Sequence, residues 1–564
     1  MKNILKLLGL CFVASAAAQQ PLFIPDTLSG STITLNMHAD SVQFLPGIKT
    51  STYAYNSYSY LGPTLILSNG ANVSLVVNNQ IADTSTVHWH GLHVAAINDG
   101  GPHTPILPGT TWNPQFTIMN SAATYWYHPH THMKTAEQAI KGADGMIIVR
   151  DNSEAALSLP RRYGVDDFPI IVQSVQFDSL NQLMPLGMQD SSLMVNGTMN
   201  PFVNLPSQVV RLRLLNASGE RVMNFGFTAN KSFYIIASDG GLLNSPVLST
   251  RVRLAQGERA EVLLDLIGMN GQIINLMSYG SELPMGVQGG PTMPMPIGSP
   301  PMDSPLNGID YNLLQINVAV QTVNPVTTIP SSLVPVNPWL ESLSDATRTI
   351  TMNAPSAMSM DGPFTFNNLS FDMMRIDYQI PLNNIEVWEL TNQTMVAHPF
   401  HIHDVQFYIL DRDGNLPPLQ ERGKKDVVLI ESNETVRFIT KFEDFADTLT
   451  PYMYHCHILM HEDDGMMGQF VIVPATSGIN DVYNNYGIRL LPNPVKDKFL
   501  VQLLDKFDKV ILIEIYNVLG ELLLAHDTKA YEINDMDLSL LSAGTYIVKL
   551  KTEKNNYIQK IIKN

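Results

Sequence analysis

The chain has 564 residues, 45% apolar and only 15% charged, enough for three or four domains with buried cores and incompatible with general disorder. Its 34 Lys and Arg against 51 Asp and Glu leave a formal charge of −17, which argues against a nucleic-acid or anionic-membrane partner. Two cysteines exclude a disulfide-framed scaffold, whereas 27 methionines and 15 histidines stand out as side chains with metal-ligand chemistry.

Residues 1–19 carry Lys2 and Lys6, then an apolar run, then small residues with an Ala-x-Ala pattern at Ala14–Ala16 or Ala16–Ala18. This predicts a secretory signal over 1–18 and a secreted or cell-surface product; a buried N-terminal helix is the alternative. Lipidation would use Cys11, but Leu10 stands where a small residue is expected. No later stretch approaches the roughly 20 apolar residues of a spanning helix, so no transmembrane segment is expected. Removing the signal leaves Cys456 as the sole thiol of an exported chain, a liability unless something protects it.

From Pro21 to about Pro474, short runs rich in Val, Ile, Thr and Tyr alternate with Gly, Pro and Asn. They predict an all-β chain with three β-sandwich blocks at 22–152, 160–325 and 345–475. Residues 284–305 are too rich in Pro and Gly for regular structure and read as a loop carrying Met285, Met293, Met295 and Met302. After Pro474 the composition shifts, and 488–564 reads as a small C-terminal β-sandwich. Its Pro-Asn-Pro opening at 492–494 and its Gly-Thr-Tyr-Ile-Val-Lys run at 544–549 resemble the sorting domain of the type IX secretion pathway. That resemblance implies export by the type IX machinery, removal of the tail, and release or surface attachment. An ordinary appended β-domain is the alternative.

Twelve of the 15 histidines lie in or beside four motifs: His88-Trp-His90, His128-Pro-His130, His398-Pro-Phe-His401-Ile-His403, and His455-Cys456-His457 followed by His461. In an extended strand residues i and i+2 project to one face, so each His-x-His pair aims two imidazoles at one place. Eight nitrogens, from His88, His90, His128, His130, His401, His403, His455 and His457, exceed the needs of one ion and suit a cluster of about three. Cys456 alternates with its neighbours and points the other way, toward a second site that His398, His461 and Met466 can join. Two His, one thiolate and a weak axial Met describe an electron-transfer copper site. A closed zinc site would leave most of these histidines unexplained, and an iron facial triad would need a carboxylate that the motifs lack.

HWHGLH, WYHPHTH, HPFHIH and YHCHILMHEDDGMM resemble the four copper signatures of the multicopper oxidases, and the likeness runs over about 22–475. It implies three cupredoxin-like domains, four copper ions, dioxygen as electron acceptor, and phenols, aromatic amines or Cu(I) as donors. By the same resemblance His398, Cys456, His461 and Met466 hold type 1 copper, and His88 and His401 hold type 2. His90, His128 and His457 would hold one type 3 ion, and His130, His403 and His455 the other. Asp99 matches the family's acidic residue near the cluster and Glu462 its proton-relay carboxylate; solvated loop charge is the alternative for each. His93 and His132 stand beside the motifs as supporting groups. Asp404 and Met133 occupy positions where relatives commonly have Gly, which points to altered packing around the cluster. The loop methionines, with Met352, Met358, Met360, Met373 and Met374, favour Cu(I) as donor, although Met also fills cores. Against Cu(I), Thr394-Met395-Val396 departs from the Asp and Met that copper-efflux oxidases place ahead of this third motif. A copper-sequestering protein without turnover and a copper nitrite reductase are the other readings.

Overall fold

In the strand Asn72–Asn79, Val73, Leu75 and Val77 are buried while Ser74, Val76 and Asn78 are half-buried. This is the period-two pattern of a strand with one face on a core, and each such side chain contributes about 1.5–3 kcal/mol. The same rule repeats through a computed structural model that describes residues 19–185, 189–292, 304–356, 359, 362–474, 488–503, 509–530, 532–552 and 556–564. The signal segment 1–18 and Met293, Met295, Met302, Met358 and Met360 lie outside the described residues.

The unit Met1–Pro474 contains three pairs of sheets. In the first block, a sheet of Thr27–Leu28, Thr64–Ser68, Gly145–Arg150 and Ala123–Tyr127 accompanies one built on Thr32–Val42, Thr50–Tyr55 and Asn72–Asn79; Leu35, Leu75, Trp89 and Ile147 lie in its core. The middle block pairs a seven-stranded with a six-stranded sheet. Its strand Asp167–Val175 is buried throughout: Ile170 and Val172 enter the block's own core, and Ile171 and Val175 join Trp126, Ile140 and Ile148 of the first block. The chain's opening residues also lean on this block, since Gln20–Pro21 pairs in parallel with Pro201–Pro206 and Leu22 joins the middle core.

The third block has two five-stranded sheets, one containing Ile385–Asn392 and Thr435–Lys441, the other His398–Ile402, Asp447–Cys456 and Met467–Val473. Trp388, Phe400, Phe438 and Phe470 fill its core together with Cys456 and Met466. Two short helices join the first and third blocks: the Asp463 carboxylate of Leu459–Asp463 accepts the N–H groups of Thr135 and Ala136 at 2.9 and 3.0 Å, satisfying the start of Thr135–Ile140.

The unit Ala475–Asn564 carries a three-stranded and a four-stranded sheet, with Phe499, Val501, Ile513, Ile515 and Val548 in its core. Among the described residues no helix is long and apolar enough to cross a membrane.

Candidate metal centre

The strands His398–Ile402 and Asp447–Cys456 are antiparallel, with Phe400 opposite Cys456 and His401 opposite His455. Alternation therefore sets Cys456, Phe400 and His398 on one face, and His455 and His401 on the other. His403 and His457 follow onto the second face, their rings 5.0 and 5.4 Å from those of His401 and His455. In the first block the backbones of His88 and His128 bridge each other at 2.8 and 3.2 Å, which brings the other two His-x-His pairs together.

On the Cys456 face, the sulfur lies 3.5 Å from His398 Nδ1 and 3.6 Å from His461 Nδ1. The Met466 carbonyl accepts the Cys456 N–H at 3.0 Å, and the Met466 N–H donates to the His461 carbonyl at 2.8 Å. Thr394 Oγ1 is 2.9 Å from His398 Nε2 and within donating distance of Asn392 Oδ1 and the Val396 carbonyl, at 2.8 and 2.9 Å. With its proton given to one of those oxygens, Thr394 accepts from His398 Nε2–H and leaves Nδ1 free to face the sulfur. The Phe364 ring packs against both imidazoles, 4.7 Å from His398 and 4.5 Å from His461. Burial pushes the Cys456 thiol far up, so only a bound cation would bring it to the thiolate. Burial also lowers His461 to about 3, the neutral form that ligates.

On the other face the eight imidazoles converge and are all buried. His90 Nδ1 lies 3.3 Å from His128 Nε2 and 3.2 Å from His457 Nε2; His403 Nε2 lies 3.3 Å from His455 Nε2, with His130 completing that group. His88 and His401 turn Nε2 atoms without a partner toward the same region. Their Nδ1–H groups donate to the carbonyls of Asp99 and Asp426 at 3.0 and 2.8 Å. Burial, reinforced by neighbouring imidazoles, drives His90, His128, His130, His401 and His457 well below their ordinary pKa. Lone pairs crowded at this spacing, with buried orphaned Nε2 atoms, fit bound cations. The nitrogen-rich set with a separate thiol suits copper.

Asp99 and Glu462, each 2% exposed, are not solvated loop charges. Asp99 Oδ2 accepts from His403 Nδ1 at 2.7 Å, and Oδ1 lies 3.4 Å from His88 Nδ1. Burial opposes ionisation of Asp99, but the two imidazoles outweigh it and hold the carboxyl well below the usual range. Glu462 lies 3.2 Å from His130 Nδ1 and 3.1 Å from His455 Nδ1, and Thr135 Oγ1 donates to it at 2.6 Å. Each carboxylate thus faces two imidazoles from different motifs and fixes their orientation.

Asp404 and Met133 have φ of 72° and 59°, the left-handed region where glycine costs nothing. Asp404 Oδ1 pairs with His93 Nδ1 at 2.7 Å, and His93 Nε2 faces Asp444 at 3.1 Å. His93 is thereby a link between the first and third blocks. His132 is exposed, its ring 5.4 Å from Phe371. Of the methionines proposed to attract Cu(I), Met352 is buried in the third core, and Met285 and Met374 are exposed. Phe364 and Asp426 gave no signal in the sequence, and Thr394 stood out there only as a departure from the copper-efflux pattern.

Residues 36–154 and 343–476 each match a family model described as multicopper oxidase. A multicopper oxidase from Staphylococcus haemolyticus is 34% identical over 448 residues, 78% of this chain and 88% of the relative. The chain belongs to the multicopper oxidase family. Its relatives also include a cell division protein, FtsP, from Sodalis glossinidius, 31% identical over 82% of this chain and 94% of that one. The solved structure of a laccase-like multicopper oxidase from Ochrobactrum sp. is 32% identical with a TM-score of 0.71, over 80% of this chain and all of that one. Copper binding follows from membership in the multicopper oxidases. Residues 489–564 match the secretion system C-terminal sorting domain.

Proposed function

We propose that this multicopper oxidase is an exported enzyme that takes electrons singly from a reductant at the Cys456 face and delivers them to dioxygen at the histidine cluster. His398, Cys456, His461 and Met466 hold type 1 copper, and His88 and His401 type 2. His90, His128 and His457 hold one type 3 ion, and His130, His403 and His455 the other. Copper so bound supplies one-electron transfer at the first site and four-electron reduction of dioxygen at the second.

The observation that carries this reading is the alternation at 455–457. Cys456 Sγ faces His398 and His461, while the residues bonded to it on either side enter two different imidazole groups. Sequestration without turnover needs no such covalent bridge, and a nitrite reductase would not need so many His-x-His pairs. Family membership alone covers relatives named for cell division; the complete donor set is what favours turnover. Asp99 and Glu462 orient the imidazoles behind them and are the carboxylates placed to pass protons inward.

Phenols and aromatic amines are the proposed donors, in line with the solved relative that acts on lignin model compounds. Cu(I) is the second reading, because the described start of the methionine-bearing segment, with Met285, is tied to Ala397 beside His398. The Ala397 N–H donates to the Gly286 carbonyl at 2.9 Å, and Gln288 Nε2 donates to the Ala397 carbonyl at 2.8 Å. The tail implies type IX export with later removal. Cys456→Ser is expected to abolish the visible thiolate–copper band and substrate-dependent oxygen uptake together. Uptake persisting in that variant would refute the reading.

A further inference from the structure

None of the 15 histidines falls between His132 and His398, so the middle block contributes no imidazole to either site. It nevertheless reaches the cluster through one turn. Gly257 has φ of +79°, and a Cβ there would stand 2.8 Å from Cδ2 and Nε2 of His457. Two residues on, at the start of Arg259–Asp265, the Arg259 guanidinium uses all its donors. Nη1 and Nη2 each reach one oxygen of Asp426 at 2.6 Å. Nε donates to the Thr124 carbonyl, and the remaining hydrogens go to the Gly257 and Asp239 carbonyls, all at 3.0 Å. Arg259 and Asp426 are 1% and 0% exposed.

Asp426 carries this contact to the cluster. Its Oδ1 accepts from His90 Nε2 at 3.1 Å, and its backbone carbonyl accepts from His401 Nδ1 at 2.8 Å. A buried ion pair is poor value as a source of stability, since well-packed apolar residues of the same volume usually do as well. What an apolar pair cannot supply is an anionic acceptor behind His90, aimed by a planar fork. That acceptor keeps the His90 proton on Nε2 and Nδ1 free toward His128 and His457.

We infer that Gly257, Arg259 and Asp426 form a positioning frame through which the middle block sets the imidazoles of His90, His401 and His457. The inference rests on the oxidase reading above. These are positioning residues; none touches the reacting atoms. Arg259 holds Asp426, Asp426 holds two imidazoles, and the bare Gly257 backbone seats a third. Tyr125, 5.8 Å beneath the guanidinium, and Gly91, whose Cβ would stand 2.4 Å from Asp426 Oδ2, close the frame from the first block.

The test uses the full copper-loaded chain with Asp426→Asn, Arg259→Met, Arg259→Lys and Gly257→Ala. The thiolate band reports the Cys456 site, electron paramagnetic resonance reports the type 2 ion, and chelator competition reports copper retained by the cluster. Asp426→Asn and Arg259→Met are expected to weaken cluster copper about 10–100-fold and alter the type 2 signal, with the thiolate band unchanged. Arg259→Lys should recover part of the loss. Should Arg259→Met fail to fold, the near-isosteric Asp426→Asn decides. Wild-type cluster affinity and type 2 signal in folded Asp426→Asn overturn the inference, as does equal loss at both sites. A wild-type chain with no thiolate band overturns the oxidase reading and the frame with it, whereas a normal wild type with unaltered variants overturns the frame alone.

Discussion

Thr394→Val isolates the Cys456 face from the histidine cluster. Valine keeps the shape of threonine but removes the oxygen 2.9 Å from His398 Nε2, so that N–H is left buried without an acceptor. Such a loss costs about 1–3 kcal/mol. The imidazole escapes by moving its proton to Nδ1, the atom facing Cys456 Sγ at 3.5 Å. A metal must then displace that proton, and the same ~1–3 kcal/mol reappears as a roughly 5–150-fold loss of affinity at the proposed type 1 site. Chelator competition followed on the thiolate band measures it, with cluster copper counted alongside as an internal control. Thr394→Ser keeps the hydroxyl and should restore the wild-type value. A folded Thr394→Val with wild-type affinity and band would refute the assignment of the His398 tautomer to Thr394.

Met133 is 68% exposed in left-handed backbone, so Met133→Gly is expected to raise the melting temperature, by relief of about 1 kcal/mol. Asp404→Gly relieves similar strain but strips His93 of its nearer carboxylate, so it should lower the melting temperature; an increase there would discount the pair. Burial opposes protonation of His93, yet Asp404 and Asp444 outweigh it and raise its pKa from 6.5 to about 9. A raised folded pKa gives stability that is complete below pH 6.5 and is lost as pH climbs through 9. Burial raises Asp404 as well, which lowers stability evenly above its own titration and leaves the expected fall across that window at roughly 3 kcal/mol. Thermal melts against pH should show the fall in the wild type and not in His93→Gln. Deleting 293–302 spares the Gly286 and Gln288 contacts to Ala397; oxygen uptake with Cu(I) should drop several-fold while phenol oxidation holds, and equal rates would remove Cu(I) as the favoured donor of that segment.

The convergence of the histidines and the opposite facing of Cys456 were legible because their logic is local. His-x-His spacing and strand alternation need only the chain's own period, and the thiol of Cys456 does face away from the imidazoles on either side. Asp99 and Glu462 were legible through family resemblance alone, and their contacts with two imidazoles each appear only when the first and third blocks meet. Asp426 lies 23 residues beyond His403, in a Lys-Lys-Asp run that reads as surface charge; folding buries it against Arg259 from another block. Thr394 looked like a departure from one subfamily, whereas in the structure its hydroxyl stands 2.9 Å from His398 Nε2. Gly257 had no signal, because what forbids a side chain there is a ring 200 residues away.

The pairing of His401 with His455 and of Phe400 with Cys456 has an evolutionary corollary. A slip of one residue between these strands would turn every side chain over, throwing sulfur among the nitrogens and nitrogen among the aromatics. An insertion that shifts this ladder would therefore silence both proposed centres in a single event, and a descendant could not shed one of them by that route. Drift toward a single-copper or colourless protein has to proceed by replacing individual donors, leaving a recognisable ladder behind.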